Sequence, residues 1–124
     1  MPSILEMTHD LAQLADSGQW KEAIDTYYAD DVTITEATGE TAQGRETQLG
    51  RMAEFFGSIR EVHGGGIHVV TANEDAGVSM IESWFDATFA DGKRTNLEEV
   101  ERYVWKDGKV TDARFYYATS EPSA

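Results

Sequence analysis

One carboxylate, Glu36, stands where it could act as a general base. It ends the β-branched run Val32–Thr35, which follows the helix-breaking pair Asp30-Asp31. Apolar spacing of three and four residues changes to alternation across this stretch, which is typical of a helix-to-strand corner. A carboxylate held at a strand end and partly desolvated can remove a proton next to a carbonyl group. The alternative is an ordinary acid that faces water.

A second set of polar and aromatic residues lies on the predicted strands of the C-terminal half. Alternation within each strand leads us to expect one sheet face that combines carboxylates with aromatic rings. This face would contain Glu82, Trp84, Glu99, Glu101, Tyr103, Phe115 and Tyr117. Glu101 is either a protonated donor, with its pKa raised by burial and nearby negative charge, or an exposed acid or ion-pair partner. The aromatic residues, together with Phe56, line either a ligand pocket or the core.

Signals for metals and cofactors are weak. His68 either points into the cavity as a hydrogen-bonding group or is satisfied locally. It follows His63 by five residues across Gly64–Gly66, which is no recognised ligand spacing, and we interpret the three glycines as a flexible corner. The chain has no cysteine and no phosphate-binding loop, serine elbow or nucleotide fingerprint. We therefore predict neither a metal nor a cofactor.

Three helices followed by an antiparallel meander are predicted to position these residues. Two Asp-Gly pairs, at 91–92 and 107–108, are strong hairpin signals. The predicted helices cover Ser3–Asp16, Gln19–Tyr28 and Arg45–Arg60, and the predicted strands Val32–Glu36, Ile67–Ala72, Val78–Ala90, Arg94–Trp105 and Lys109–Thr119. This order indicates a single α+β domain over residues 1–124, with the helices packed on one face of a curved sheet.

The amino-acid composition argues against some classes of binding partner. The chain has 124 residues, 10 Lys and Arg against 23 Asp and Glu, and a formal net charge of -13. So acidic a surface repels phosphate backbones and anionic lipids, which argues against nucleic acid and membrane partners. No apolar run approaches the roughly 20 residues needed to cross a bilayer, and the N-terminus does not resemble a secretory signal. With the absence of cysteine, this predicts a cytoplasmic protein.

The predicted sheet is partly apolar on both faces and therefore needs two covers. The helices supply one cover. We predict that a second copy of the chain supplies the other, in a homodimer packed through a convex face that carries Ile81, Phe85 and Val100. The alternative is a monomer in which these residues curl around a sheet edge.

Several short motifs resemble the SnoaL-like proteins, in the superfamily of nuclear transport factor 2 and ketosteroid isomerase. The motifs are Gly18, Trp20, Tyr28–Ile34, Gly44-Arg45-Glu46 and Asp107–Val110. The resemblance covers roughly Leu5 to Tyr117. It implies a cone-shaped, cystatin-like α+β fold with a deep pocket between the helices and the concave sheet.

The resemblance to ketosteroid isomerase also implies roles for individual residues. Glu36 takes the position of the general base, and Glu101 that of the protonated acid, which in ketosteroid isomerase an apolar site keeps neutral. Leu11 takes the position of a tyrosine donor and cannot donate a hydrogen bond. Two hypotheses follow. Glu36 favours an isomerase, cyclase or hydratase acting on a small polyketide-, steroid- or terpenoid-like molecule, whereas Leu11 favours a non-catalytic ligand-binding or accessory protein.

Overall fold

The computed structural model describes residues 2–121. Within this range the predicted order of three helices and an antiparallel meander is confirmed. The elements are α1 (Ile4–Asp16), α2 (Trp20–Tyr27), β1 (Tyr28–Thr35), β2 (Thr41–Gln43), α3 (Arg45–Gly57), β3 (Ile59–Asn73), β4 (Val78–Phe89), β5 (Arg94–Lys106) and β6 (Lys109–Ser120).

All six strands of the described range form one sheet in the order β2-β1-β6-β5-β4-β3. Among the strands of residues 2–121, only the β1–β6 pair is parallel, because the chain passes from β1 through α3 to the far edge before it returns. The buried apolar residues of α1, α2 and the sheet form one core. The inner, concave face of β4, β5 and β6 therefore lies beneath the helices, and the outer face lies away from them.

The first helix is fixed by polar contacts at its start and along its length. Ser3 and Glu6 form the predicted capping box. Glu74, in the turn after β3, accepts hydrogen bonds from the backbone N–H groups of residues 4 and 5 at 2.8 and 3.0 Å. A carboxylate is stabilising there because it satisfies free N–H groups at the positive end of the helix dipole. Inside the core, the Ser79 hydroxyl lies 2.7 Å from the Thr8 hydroxyl and accepts from the Trp105 indole at 2.8 Å.

The three consecutive glycines are not a flexible corner, and that interpretation is wrong. They lie within β3, whose strand begins at Ile59, two residues after α3 ends. A Cβ atom at Gly64 or Gly66 would come within 2.9 or 2.8 Å of the Trp84 ring. The glycines therefore make room for an indole that lies against the backbone of the neighbouring strand.

The predicted assignment of residues to the two sheet faces is wrong for β4. The register pairs Ile81 with Glu101 and Glu82 with Val100, and directly opposed residues share a face. Ile81 is therefore an inner residue, only 2% exposed, and Phe85 packs against α3. Alternation shows which residues of one strand share a face of the sheet. It does not give the pairing register with the next strand, and a register shift of one residue moves every side chain of a strand to the opposite face. The set Ile81, Phe85 and Val100 does not form one convex face.

None of the helices among the described residues is long and apolar enough to cross a membrane.

Candidate functional site

Glu36 lies just beyond the end of β1, at the start of a tight turn. Its backbone N–H donates to the Glu40 carbonyl at 2.8 Å, which closes the turn. Its carboxylate forms an ion pair of 3.2 Å with Arg51, which projects from α3. The Glu36 side chain is 21% exposed, so the carboxylate is neither sealed in the core nor free in bulk solvent.

Three polar residues of β5 lie on the concave face at two-residue spacing, as predicted. Tyr103 is 1% exposed, and its hydroxyl donates to Glu101 Oε1 at 3.2 Å. Glu101 and Glu99 are half-buried and lie two residues apart on the same face of β5, and repulsion from Glu101 contributes to raising the pKa of Glu99.

Tyr28, at the junction of α2 and β1, completes this polar group, and it was not among the predicted site residues. Its ring packs edge-on against Tyr103, with centroids 6.2 Å apart, and the negative charge of Glu101 adds to burial in raising the Tyr28 pKa. Tyr28 lies in the motif Tyr28–Ile34, which supported the family resemblance. Its position at the end of a helix does not show in the sequence which way the ring points. Leu11 lies in the same buried cluster as both tyrosines.

Burial controls the electrostatics of these groups. It raises the pKa of Glu99 to about 9, with repulsion from Glu101 and Glu36 acting in the same direction. Burial also raises the pKa of Glu101, against hydrogen bonds from Glu99 and Tyr103 that lower it. The pKa values of Tyr28 and Tyr103 are raised chiefly by burial. At neutral pH the two glutamates therefore hold a proton, and both phenols remain donors.

An aromatic cluster lies next to this polar group under α3. Phe56 stacks on Trp20 with centroids 5.4 Å apart and meets Phe85 edge-on at 6.2 Å. Phe85 faces the same side as Ser83, which is the β4 partner of Glu99. The concave face therefore passes from phenols and carboxyl groups to an apolar wall.

Strand β6 contributes the remaining predicted residues of the concave face. Phe115 opposes Glu101 and is buried, whereas Tyr117 opposes Glu99 and is exposed. The β6 partner of Glu99 is therefore more exposed to solvent than the β6 partner of Glu101. The enclosed pocket implied by the resemblance stays a prediction.

Three of the predicted site residues lie elsewhere. Glu82 and Trp84 are paired with Val100 and Glu98 on the outer face, so the expectation that they join Glu99 and Glu101 is wrong. The His68 side chain is 47% exposed, with Nε2 3.8 Å from Glu98 Oε2. Of the two alternatives for His68, the place inside the cavity is wrong, and a bulge in β3 between Ile67 and Val69 leaves this residue outside the regular pairing.

Two open clefts border this polar group. One, of about 310 Å³, includes Glu82, Glu98, Glu99 and Tyr117 in its lining. The other, of about 650 Å³, opens beside the start of β1 and is lined by Tyr28, Ala29, Asp30, Asp31, Arg45 and Lys109. Across residues 2–121, no three or more His, Asp or Glu side chains are arranged to hold a metal ion.

Comparisons with known proteins agree with this architecture. Residues 9–113 match the family model of the SnoaL-like domain. A candidate SnoaL-like polyketide cyclase from Mesorhizobium loti is 30% identical over 94% of this chain and 100% of its own, with a TM-score of 0.84. A candidate polyketide cyclase from Pseudomonas putida is 18% identical over 95% and 93% of the two chains, with a TM-score of 0.79.

A third similar structure comes from Catenulispora acidiphila. That protein has a ketosteroid isomerase-like fold, was determined in complex with trimethylamine, and is 23% identical over 91% and 85% of the two chains, with a TM-score of 0.72. No curated protein matches the chain significantly. The resemblance and the α+β fold predicted from the sequence are confirmed, and the chain belongs to the SnoaL-like domain family.

Proposed function

We propose that the protein is an acid–base enzyme of the isomerase or cyclase type, with Glu36 as the base. The observation that carries this proposal is the approach of Glu36 to the proton-holding group on the concave face. The Glu36 charge raises the pKa of both Tyr28 and Glu99, so the proposed base lies within electrostatic range of these groups. A reaction that moves a proton needs both kinds of group within reach of one substrate.

In the proposed reaction, Glu36 takes a proton from a carbon atom next to a carbonyl group. The electron pair of the broken C–H bond moves toward the carbonyl oxygen, which gains negative charge and accepts hydrogen bonds from the acid group of Glu99 and Glu101. Isomerisation follows when Glu36 returns the proton to another carbon. Cyclisation follows when the enolate carbon attacks a second carbonyl group, whose carbon–oxygen π bond breaks and whose oxygen takes up the proton held by Glu36. Arg51 holds the Glu36 carboxylate in place through their 3.2 Å contact.

The charges of the site favour an uncharged substrate. Glu36 is paired with Arg51, and Glu99 and Glu101 together keep negative charge even when they share a proton, so an anionic ligand would be repelled. The neighbouring Phe56 and Phe85 provide an apolar surface. A small, partly apolar carbonyl compound of polyketide, steroid or terpenoid type meets both conditions, and the cytoplasm is its proposed location.

Deuterium exchange of 2-tetralone tests the proposal. This ketone combines an aromatic ring with acidic α-protons, whose exchange in D₂O is followed by proton NMR. We expect the protein to accelerate exchange and Glu36→Gln to lower the rate by about 10²- to 10⁴-fold, the usual contribution of a general base. Glu98→Gln is the matched control, because Glu98 lies on the outer face of the sheet. Equal rates for the two variants would refute the role of Glu36.

A second candidate is a binding protein that uses the same face without turnover. Leu11 favours it, since a core side chain stands where the resemblance implies a phenol donor. In that case 2-tetralone would bind, as shown by shifts of the aromatic signals of the protein, but its α-protons would exchange no faster than in buffer.

A further inference from the structure

Gln48, on α3, is a buried polar residue whose side-chain oxygen has no partner. It is 2% exposed, and its Oε1 atom accepts no hydrogen bond from any residue in the range 2–121. The other buried polar side chains of this range, Thr8, Ser79 and Thr88, all take part in hydrogen bonds. A buried acceptor without a donor costs free energy, so a native chain that keeps one needs a reason for it.

The position of Gln48 places its amide between α3 and β1. The helix is tied to β1 at two points: the Gly44 N–H donates to the Val32 carbonyl at 2.8 Å, and Arg51 pairs with Glu36 at 3.2 Å. Gln48 lies between these contacts, four residues after Gly44 and three before Arg51. Residues three and four apart on a helix share one face, so the buried amide lies on the face turned to β1. It is one helical turn from the partner of the proposed base.

The unpaired groups on this face indicate the chemistry of a ligand. Gln48 Oε1 requires a hydrogen-bond donor. Arg45, one turn earlier on the same face, has a buried Nε–H without a partner in the described part of the chain, while its terminal nitrogens contact Asp30 and the Tyr28 carbonyl. A hydroxyl group both donates and accepts, whereas an N–H group only donates. A hydroxyl group therefore matches a helix face that offers one free acceptor and one free donor.

We infer that Gln48 is a ligand-binding residue, and that its Oε1 atom accepts a hydrogen bond from a hydroxyl group of the ligand. The class of ligand that follows, an uncharged hydroxylated carbonyl compound, rests on the proposed function. Its carbonyl part lies at Glu36, and its hydroxyl group lies toward the start of α3. An analogue without the hydroxyl leaves the buried amide unpaired, so Gln48 selects for the hydroxylated molecule. No bond of the ligand forms or breaks at Gln48.

Pairs of ketones that differ in one hydrogen-bond donor test this inference. The probes are the ring-hydroxylated isomers of 2-tetralone and their methyl ethers, which keep the oxygen but cannot donate. Calorimetric titration of the full chain measures their affinities. We expect a hydroxy ketone to bind about tenfold more tightly than its ether, the usual value of one hydrogen bond. Its addition should also shift the side-chain amide signals of Gln48 in nitrogen-15 NMR, a readout that requires no variant.

Gln48→Met nearly keeps the length of the side chain and removes the amide. We expect this variant to bind the hydroxy ketone and its ether equally. It should also unfold at a higher urea concentration than the unmodified protein, because no unpaired acceptor remains buried. Gln43→Met makes the same change at an exposed glutamine of β2 and should leave the preference for the hydroxy ketone intact.

Three results would overturn the inference. They are the absence of any preference for a hydroxy ketone in the unmodified protein, a preference that Gln48→Met retains, and a lower urea midpoint for Gln48→Met, which would show that the amide is paired within the fold. Binding is measured without turnover, so Glu36→Gln should keep the preference. Failure of the proposed base is therefore seen separately, in the exchange assay.

Discussion

Replacement of Glu99 by glutamine should change how stability depends on pH. Burial raises the pKa of Glu99 from an ordinary value of 4.5 to about 9, so the folded protein binds this proton more tightly than the unfolded chain does. Between these two pH values the unfolded chain has lost the proton while the folded protein still holds it. The free energy of unfolding must therefore fall as pH rises from about 5 to 9, and remain lowered above that range.

The size of the effect follows from the displacement of the pKa. One pKa unit corresponds to about 1.4 kcal/mol, which gives an upper bound of about 6 kcal/mol for Glu99. Partial exposure of Glu99 and sharing of the proton with Glu101 reduce this value, so we expect about 1–3 kcal/mol at pH 8. Glutamine has nearly the shape of the protonated acid and does not ionise. Glu99→Gln should thus gain about this amount at pH 8 and change little at pH 5.

Urea unfolding at pH 5, 7 and 9 measures this difference. The slope of the unfolding free energy against pH should be smaller for Glu99→Gln than for the unmodified protein. Glu98→Gln makes the same chemical change on the adjacent residue of the outer face, where the side chain is 55% exposed, and should leave the slope unaltered. If Glu99→Gln and the unmodified protein lost stability in parallel between pH 5 and 9, the assigned burial of the Glu99 proton would be incorrect.

Four further changes probe other parts of the molecule. Arg51→Gln removes the ion-pair partner of the proposed base, and we expect exchange of 2-tetralone to slow about tenfold with no loss of circular dichroism signal. Gly66→Ala should destabilise the fold by about 1–3 kcal/mol in urea unfolding, since its Cβ would meet the Trp84 ring at 2.8 Å. Gly50→Ala, with open space around it in α3, should instead stabilise by up to about 1 kcal/mol. We propose that the predicted homodimer packs through the outer face, where Met80 is 41% exposed. Met80→Glu should then halve the mass in sedimentation, and a monomeric unmodified protein would refute that assembly.

Much of the fold could be predicted because its signals are local. Asp91-Gly92 and Asp107-Gly108 lie in the turns between long strands, and Ser3 with Glu6 caps the first helix. The alternation within β5 also placed Glu99 and Glu101 together correctly. Local pattern fails where pairing between strands decides the outcome. The face assigned to Glu82 was wrong because the register between β4 and β5 is a property of two segments and not of one.

The remaining differences arise from contacts between distant parts of the chain. Consecutive glycines suggest a flexible segment when the sequence is considered alone. In the structure Gly64 and Gly66 lie in β3, and the Trp84 ring of the neighbouring strand β4 packs against them. The His68 side chain meets Glu98 on the outside of the sheet, which a sequence interval cannot reveal. Tyr28 joined the candidate site only through its packing on Tyr103, 75 positions later in the sequence. Such contacts depend on the assembled fold.

Leu11 illustrates why a missing donor does not by itself disable the proposed site. Its apolar side chain is buried in the same cluster as Tyr28 and Tyr103, so it helps to keep water from the region behind the two phenols. Exclusion of water raises the pKa of an acid and strengthens the hydrogen bonds that remain. The chain instead places its phenols on β1 and β5, where Tyr28 packs on Tyr103 and the Tyr103 hydroxyl donates to Glu101.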